Sequence, residues 1–431
     1  MKLKNIHIKL LLATFVVLVS FACQKTKNTS IDLSGQWSFK MDSLDKGVSE
    51  EWFYNTFSEV VTLPGSMNEN GKGNIVNSKT VWTGNMWNDS LWYKDPKMAK
   101  YRQKGNVKFS FWLTPNKEYK GAAWYQKQIV VPEDWKDKTI NLFLERVHWE
   151  STVWIDGVKV GMQNSLGTPH NYSLNKLLTV GEHKITLRID NRIKDINVGK
   201  DAHSISDNTQ SNWNGVIGDI KLTLAPKIRI GNVKLYPNIA ENKVKAVVQI
   251  ENKTVGTQIG QIIFKANIKS NSNSLNTLKK EVKITGNQEI VIEYDMGENP
   301  KLWDEFNPNI YQMQITLESQ LGLDTKSIDF GMRDFKAEGT IFKINDRPVF
   351  LRGTLECAIF PLTGYPPTDV APWKRILKII KKHGLNHMRF HSWCPPEAAF
   401  IAADEEGVYL QVEASAWTTI GDGAPIDRWL V

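Results

Sequence analysis

Residues 383–415 read HGLNHMRFHSWCPPEAAFIAADEEGVYLQVEAS. After the glycine stop at Gly384 comes a short apolar strand, LNHMRF, which delivers Arg389 and His391 at its end. Pro395 and Pro396 open a helix, where a missing backbone N–H costs little. Gly407 closes that helix, and VYLQVEA follows as another strand. Just upstream, DVAPWKRILKIIKKHG (369–384) puts Trp373, Ile376, Leu377 and Ile380 on one helical face, with Lys374, Lys378 and Lys381 largely on the other. Strands and helices that alternate without hairpins predict a parallel α/β unit from about residue 335.

The grammar before that point is different. From Ile31 to Pro226 short alternating strands dominate, among them AAWYQKQIVV, TINLFLERV and GEHKITLRIDN. STVWIDGVKVG predicts a tight hairpin at Asp156-Gly157. Many strands with few helical stretches predict a sandwich or jelly roll over 31–226. A long aromatic-rich insertion containing WTGNMWNDSLWY interrupts it between Asn68 and Lys120, and a loop of that size is either functional or packed by its own side chains. From Lys227 to Asp334 about seven further strands recur at sandwich spacing, which predicts an immunoglobulin-like fold. TIFKINDRPVFLRGT (340–354) then forms a hairpin about Asn345-Asp346 that leads into the first parallel strand.

Composition excludes little beyond nucleic acid. The 431 residues are 41% hydrophobic and 23% charged, as a chain with real cores requires. Lysines and arginines are scattered among acids without a stripe, so the net charge of +8 gives nucleic-acid binding no support. The 16 tryptophans suit sandwich cores or sugar-stacking clefts. MKLKNIHIKLLLATFVVLVSFACQ has a basic start and an apolar run too short to span a membrane, which predicts a signal peptide over 1–22. Ala22 before Cys23 resembles a bacterial lipobox, although Ser20 stands where leucine is usual. Cys23 is therefore the expected lipidation site, with 23–30 as a polar tether and a cell-envelope location, periplasm or outer membrane. An ordinary secretory signal is the alternative. Cys357 and Cys394 could pair in such a compartment or remain two free thiols, and no Cys/His spacing suggests zinc.

Landmarks in fixed order resemble glycoside hydrolase family 2. GAAWYQKQIVVP (121–132), STVWIDGVKVG (151–161), YSLNKLLTVGEHKITLRIDN (172–191) and SNWNGVIGDIKL (211–222) look like that family's sugar-binding jelly roll. NPKLWDEFNPNIYQMQITL (299–317) and FGMRDF (330–335) are similar to the exit from its immunoglobulin-like domain, and FKINDRPVFLRGT with GLNHMRFHSWCPPE to the start of its TIM barrel. The resemblance covers nearly all of Ile31–Val431. It implies a retaining, exo-acting glycosidase for terminal β-linked sugars, with a glycoside or oligosaccharide as substrate and no cofactor.

Retention needs two carboxyl groups about 5–5.5 Å apart. In the family both are glutamates, on barrel strands four and seven, the first preceded by asparagine. No Asn-Glu pair follows the third barrel strand here; Asn68-Glu69 falls in the jelly roll. Residues 335–431 are also far short of the roughly 250 of a complete barrel. Both catalytic glutamates are thus expected beyond Val431, and a non-catalytic carbohydrate-binding lipoprotein is the rival reading.

The resemblance implies substrate-binding roles at the C-terminal ends of the strands. Arg389 and His391 end strand two, where the family has an arginine and a histidine, usually three residues apart rather than two. Arg389 could equally be paired structurally with an acid. Trp393 is a candidate sugar-stacking residue or core packing. Glu413 ends strand three, where some relatives carry an acid that helps bind magnesium; its neighbours ASAW do not supply the usual companions, so no metal is implied. Glu356 stands where many relatives have a substrate-side histidine. Asp404, Glu405 and Glu406 are expected on a solvated face, and Asp201, His203 and Trp213 as structural residues.

Overall fold

Alternation along the strands of the first domain sorts side chains into a buried face and an outer face. Val153, Ile155, Ile185, Leu187, Ile189 and Tyr125 point inward and meet Leu142, Leu144, Val147, Ile220 and Leu222 of the opposite sheet. A computed structural model describes residues 29–77, 80–83, 95–104, 106, 117–174, 177–207, 209, 212–270, 274–360, 362–421 and 423–430. The signal segment, Cys23 and 84–93 of the aromatic insertion lie outside these residues. One sheet has six strands in the order 158–164, 150–155, 181–190, 122–131, 35–42, 59–63. The other runs 30–32, 215–225, 139–148, 170–173, with 65–66 added against 215–216. Together they form a jelly roll. The hairpin turns at Asp156 (φ 50°) and Gly157 (φ 85°), so that Val158 pairs with Ile155. Two successive positive φ values are what a type I′ turn requires.

Seven strands make the second domain, in sheets of three (228–238, 243–252, 288–295) and four (274–284, 258–268, 311–319, 322–330). Their inward residues, among them Val248, Ile262, Phe264, Ile292 and Met313, form one core of an immunoglobulin-like sandwich. Glu305, 5% exposed, ties this domain to the C-terminal region. Its carboxylate accepts from Arg347 Nη2 and from the Tyr409 hydroxyl, each at 2.7 Å. A buried carboxylate persists only with such partners.

A small antiparallel sheet (335–338, 341–344, 347–349) precedes the parallel unit. The apolar stretch after the hairpin is therefore divided: Phe350–Arg352 leave the ladder, and the parallel strand begins only at Gly353. That unit comprises β1 (Gly353–Glu356), α1 (Val370–Lys382), β2 (His387–Phe390), α2 (Glu397–Glu406) and β3 (Tyr409–Val412). β2 lies between β1 and β3, parallel to both, with Leu355, Arg389 and Gln411 in register. It has the alternation with which a TIM barrel opens. Met388 and Phe390 pack against Trp373 and Leu377 of α1 and the alanines of α2. Gly407 ends α2 in the left-handed conformation (φ 69°), and an added Cβ there would meet the Glu305 backbone at 2.8 Å.

The acidic end of α2 departs from the expected solvated face. Glu405 receives Lys269 of the second domain at 2.8 Å and Lys374 of α1 at 2.6 Å, and Glu406 lies 3.6 Å from Lys378. Asp404 is exposed, while its carbonyl accepts from the Trp303 indole at 2.8 Å. Cys357 and Cys394 are both free thiols.

Candidate functional site at the ends of the parallel strands

Parallel strands direct side chains beyond their C-terminal ends into the loops, and three of the candidates meet there. Arg389 Nε donates to Glu413 Oε1 at 2.6 Å, and Nη2 of the same guanidinium also reaches that oxygen. The other carboxylate oxygen accepts from the Ser392 backbone N–H at 2.7 Å and lies 3.8 Å from His391 Nδ1. Burial resists ionisation of Glu413, but the Ser392 N–H and Arg389 outweigh it and hold the carboxyl below the usual range. The Arg389 side chain keeps 41% of its surface exposed. Arg389 is thus paired with an acid, as its structural alternative expects, while part of its side chain stays exposed.

His391 is held from both sides. Its backbone N–H donates to the Glu356 carbonyl at 3.0 Å, and its ring stacks on His203 with centroids 4.6 Å apart. His203 reaches over from the jelly roll, and its own N–H donates to Ser392 Oγ at 2.9 Å. Burial and the neighbouring His391 push the His203 imidazole below its ordinary pKa. Trp417 closes the cluster at 4.9 Å from His391, with 55% of its surface exposed. Sequence reasoning gives His203 a structural role and passes over Trp417. Only the position of His203 near the end of the jelly roll hints at a reach to the cleft, and nothing marks Trp417.

Two other candidates sit elsewhere. Trp393 is fully buried among Phe360, Trp373 and Phe390, and its indole N–H faces the Glu356 carbonyl at 3.3 Å. No ring face is left for a sugar, so packing is the role its position permits. Glu356 turns its carboxylate onto the loop after β1, accepting from Ala358 N at 2.9 Å and Ile359 N at 3.2 Å. Burial raises its pKa against the effect of those two donors. Trp213 is buried and stacks on His148 at 4.5 Å, inside the jelly roll's end, and Asp201 remains half-buried nearby. Among the described residues no group of three or more His, Cys, Asp or Glu side chains is placed to hold a metal.

This architecture has known counterparts. The sugar-binding domain of glycosyl hydrolases family 2 matches residues 31–226, and the description "Glycosyl hydrolases family 2" matches 228–333. The chain belongs to glycosyl hydrolase family 2. A β-galactosidase of Thermoanaerobacter pseudethanolicus is 25% identical over 329 residues, covering 74% of this chain and 42% of that protein. A putative β-glucuronidase of Formosa agariphila is 24% identical, covering 68% of this chain and 34% of its own length. Among solved structures, a Bacteroides uniformis β-glucuronidase superposes over 91% of this family 2 chain and 43% of its own, with a TM-score of 0.66 at 18% identity. A β-glucuronidase from Ruminococcus gnavus in complex with D-glucuronic acid gives 0.65 at 16% identity, over 92% and 62% of the two chains. These likenesses extend to the fold. The chain spans about a third to two fifths of the curated relatives it matches.

Proposed function

We propose that this chain supplies the accessory domains and the first strands of a retaining, exo-acting glycosidase for terminal β-linked sugars. The observation that carries the reading is the Arg389–Glu413 pair, seated at the C-terminal ends of adjacent parallel strands with the Arg389 side chain still open. In that role the guanidinium donates to substrate hydroxyls while Glu413 fixes its plane. His391, braced by His203, lines the same subsite. The acid/base and nucleophile glutamates would lie on barrel strands beyond Val431. One would protonate the leaving oxygen while the other attacks the anomeric carbon, and water then releases the sugar with its configuration retained. Export as a lipoprotein acylated at Cys23, with its chains holding it in the envelope membrane, completes the reading.

The test uses native protein extracted from the cell envelope. Its intact mass is set beside the 49.1 kDa of the 431-residue chain. The same sample is assayed on 4-nitrophenyl β-galactoside, β-glucuronide and β-mannoside, with the product anomer followed by NMR. Turnover with retention from a heavier protein is the expected result. Inversion would overturn the retaining mechanism, and turnover from a product at or slightly below 49.1 kDa would overturn the placing of the glutamates. A product of that mass that binds sugar without turnover would favour the non-catalytic lipoprotein.

A further inference from the structure

On the outer face of the six-stranded sheet, away from the jelly-roll core, a second small cluster of aromatic residues forms. Trp124 and Trp154 point outward from their strands, and the segment 43–58 folds over them through Trp52 and Phe57. That segment is anchored by Asp42, whose carboxylate accepts from Lys46 N, Gly47 N and the Trp124 indole at 2.8–2.9 Å. Between this flap and the edge strand 158–164 lies a cavity of about 790 Å³. Its walls are aromatic and apolar on one side and ionic on the other. Phe53 stacks on Trp154 at 5.4 Å, Tyr54 is 60% exposed, and Met162 faces them.

The ionic side is a network of ion pairs. Arg188 meets Asp45 at 2.7 Å, Asp190 at 3.0 Å and Glu150 at 3.5 Å. Arg192 bridges Asp45 and Asp190, each at 2.6 Å, and Lys194 bridges Glu150 at 2.8 Å and Asp190 at 3.2 Å. These three cations and three carboxylates close on one another, while Glu51, Lys159 and Asp195 also line the cavity and leave its wall with one more carboxylate than cations. Arg188 is 7% exposed and its Nε has no hydrogen-bond partner, so one donor of a pocket-lining guanidinium is unsatisfied.

We infer that this cavity is a binding site for a neutral sugar chain, independent of the hydrolysis proposed above. A pyranose offers an apolar face for Tyr54 and Phe53 and hydroxyls that both donate and accept, which suits a wall that supplies both kinds of partner. The cavity lies within the roughly 300–1,000 Å³ of small-molecule sites. An anionic ligand fits the same wall worse, because the carboxylates there outnumber the cations.

Titration calorimetry on the whole chain tests this with cellohexaose, mannohexaose, xylohexaose and, as the acidic comparator, hexagalacturonate. At least one neutral hexasaccharide should bind. Tyr54→Ala on the flap and Met162→Ala on the edge strand should each weaken it tenfold or more, while Val255→Ala, on the exposed surface of the second domain, leaves it unchanged. Both pocket side chains are at least half exposed, so their loss leaves the cores intact. The proposal fails if no neutral hexasaccharide binds at millimolar concentration or if hexagalacturonate binds best. It fails equally if Tyr54→Ala and Met162→Ala leave the affinity where Val255→Ala does.

Discussion

Arg389 on β2 and Glu413, one residue past the end of β3, are two residues apart along the register, with Nε and Oε1 2.6 Å from each other. Side chains two residues apart on a strand share a face, so the sheet itself aims both groups at one spot. The pair is partly solvated, with 41% and 27% of the side chains exposed, and its contribution is that of a surface ion pair. Glu413→Gln should therefore lower the unfolding free energy by only about 1 kcal/mol in urea denaturation. A loss above about 3 kcal/mol would mean that the pair behaves as a buried one.

Trp393 calls for a larger effect. Its indole fills the space between Phe360, Trp373 and Phe390 with no exposed surface. Trp393→Ala should cost about 3–5 kcal/mol, as for other large aromatic deletions from cores. Trp393→Phe, which keeps most of the packing, should bind sugars as the parent does. Sugar affinity that collapses in the folded Trp393→Phe protein would restore the stacking role.

Two jelly-roll histidines make the fold acid-sensitive well above the range of the carboxylates. Burial lowers His148 to about 3 and His170 to about 4. Ser165 N donates to His170 Nε2 at 3.0 Å, so Nδ1 carries the proton toward Ser151 Oγ at 2.7 Å. Both folded values lie below an unfolded pKa of about 6.5, so the unfolded chain binds more protons as pH falls. The stability they confer is complete above pH ~6.5 and is lost on acidification toward the folded values. Each histidine should remove about 1.4 kcal/mol per pH unit between pH ~6 and ~4.5. Urea midpoints across that window measure the slope, and His170→Gln should reduce it by roughly half. An unchanged midpoint would show that neither imidazole is held neutral.

The sequence made visible whatever depends on periodicity. Alternation about Leu187 and Ile189, the Asp156-Gly157 turn and the apolar stripe of α1 all reappear, because each is a local consequence of which face is buried. Contacts between domains were not legible. His203 meets His391 across 188 positions of chain, and Glu405 meets Lys269 across more than a hundred. No periodicity encodes such a meeting; it follows from how three cores stack. Trp393 shows the limit on a single residue, since an indole after a strand reads alike whether it lies under the next helix or over the cleft.

The jelly roll and the loop after β3 touch through backbone, and a glycine makes that approach possible. Trp417 N donates to the Val198 carbonyl at 2.7 Å, and Ser204 Oγ donates to the Ser415 carbonyl at 3.1 Å. A Cβ on Gly199 would stand 2.0 Å from the Trp417 carbonyl oxygen, a backbone atom that cannot rotate away. Gly256 provides a matched control, because its φ is also +86° and nothing lies within 4 Å of an added methyl. Both alanine variants bear the backbone cost of a left-handed residue, about 1–2 kcal/mol. Only Gly199→Ala should also separate the two domains at this point. Hydrogen exchange at the Trp417 amide should quicken at least tenfold in Gly199→Ala and stay unchanged in Gly256→Ala. Equal exchange in the two variants would mean that the loop carrying Trp417 is not held by this contact, and that the ring beside His391 is positioned by its own strand alone.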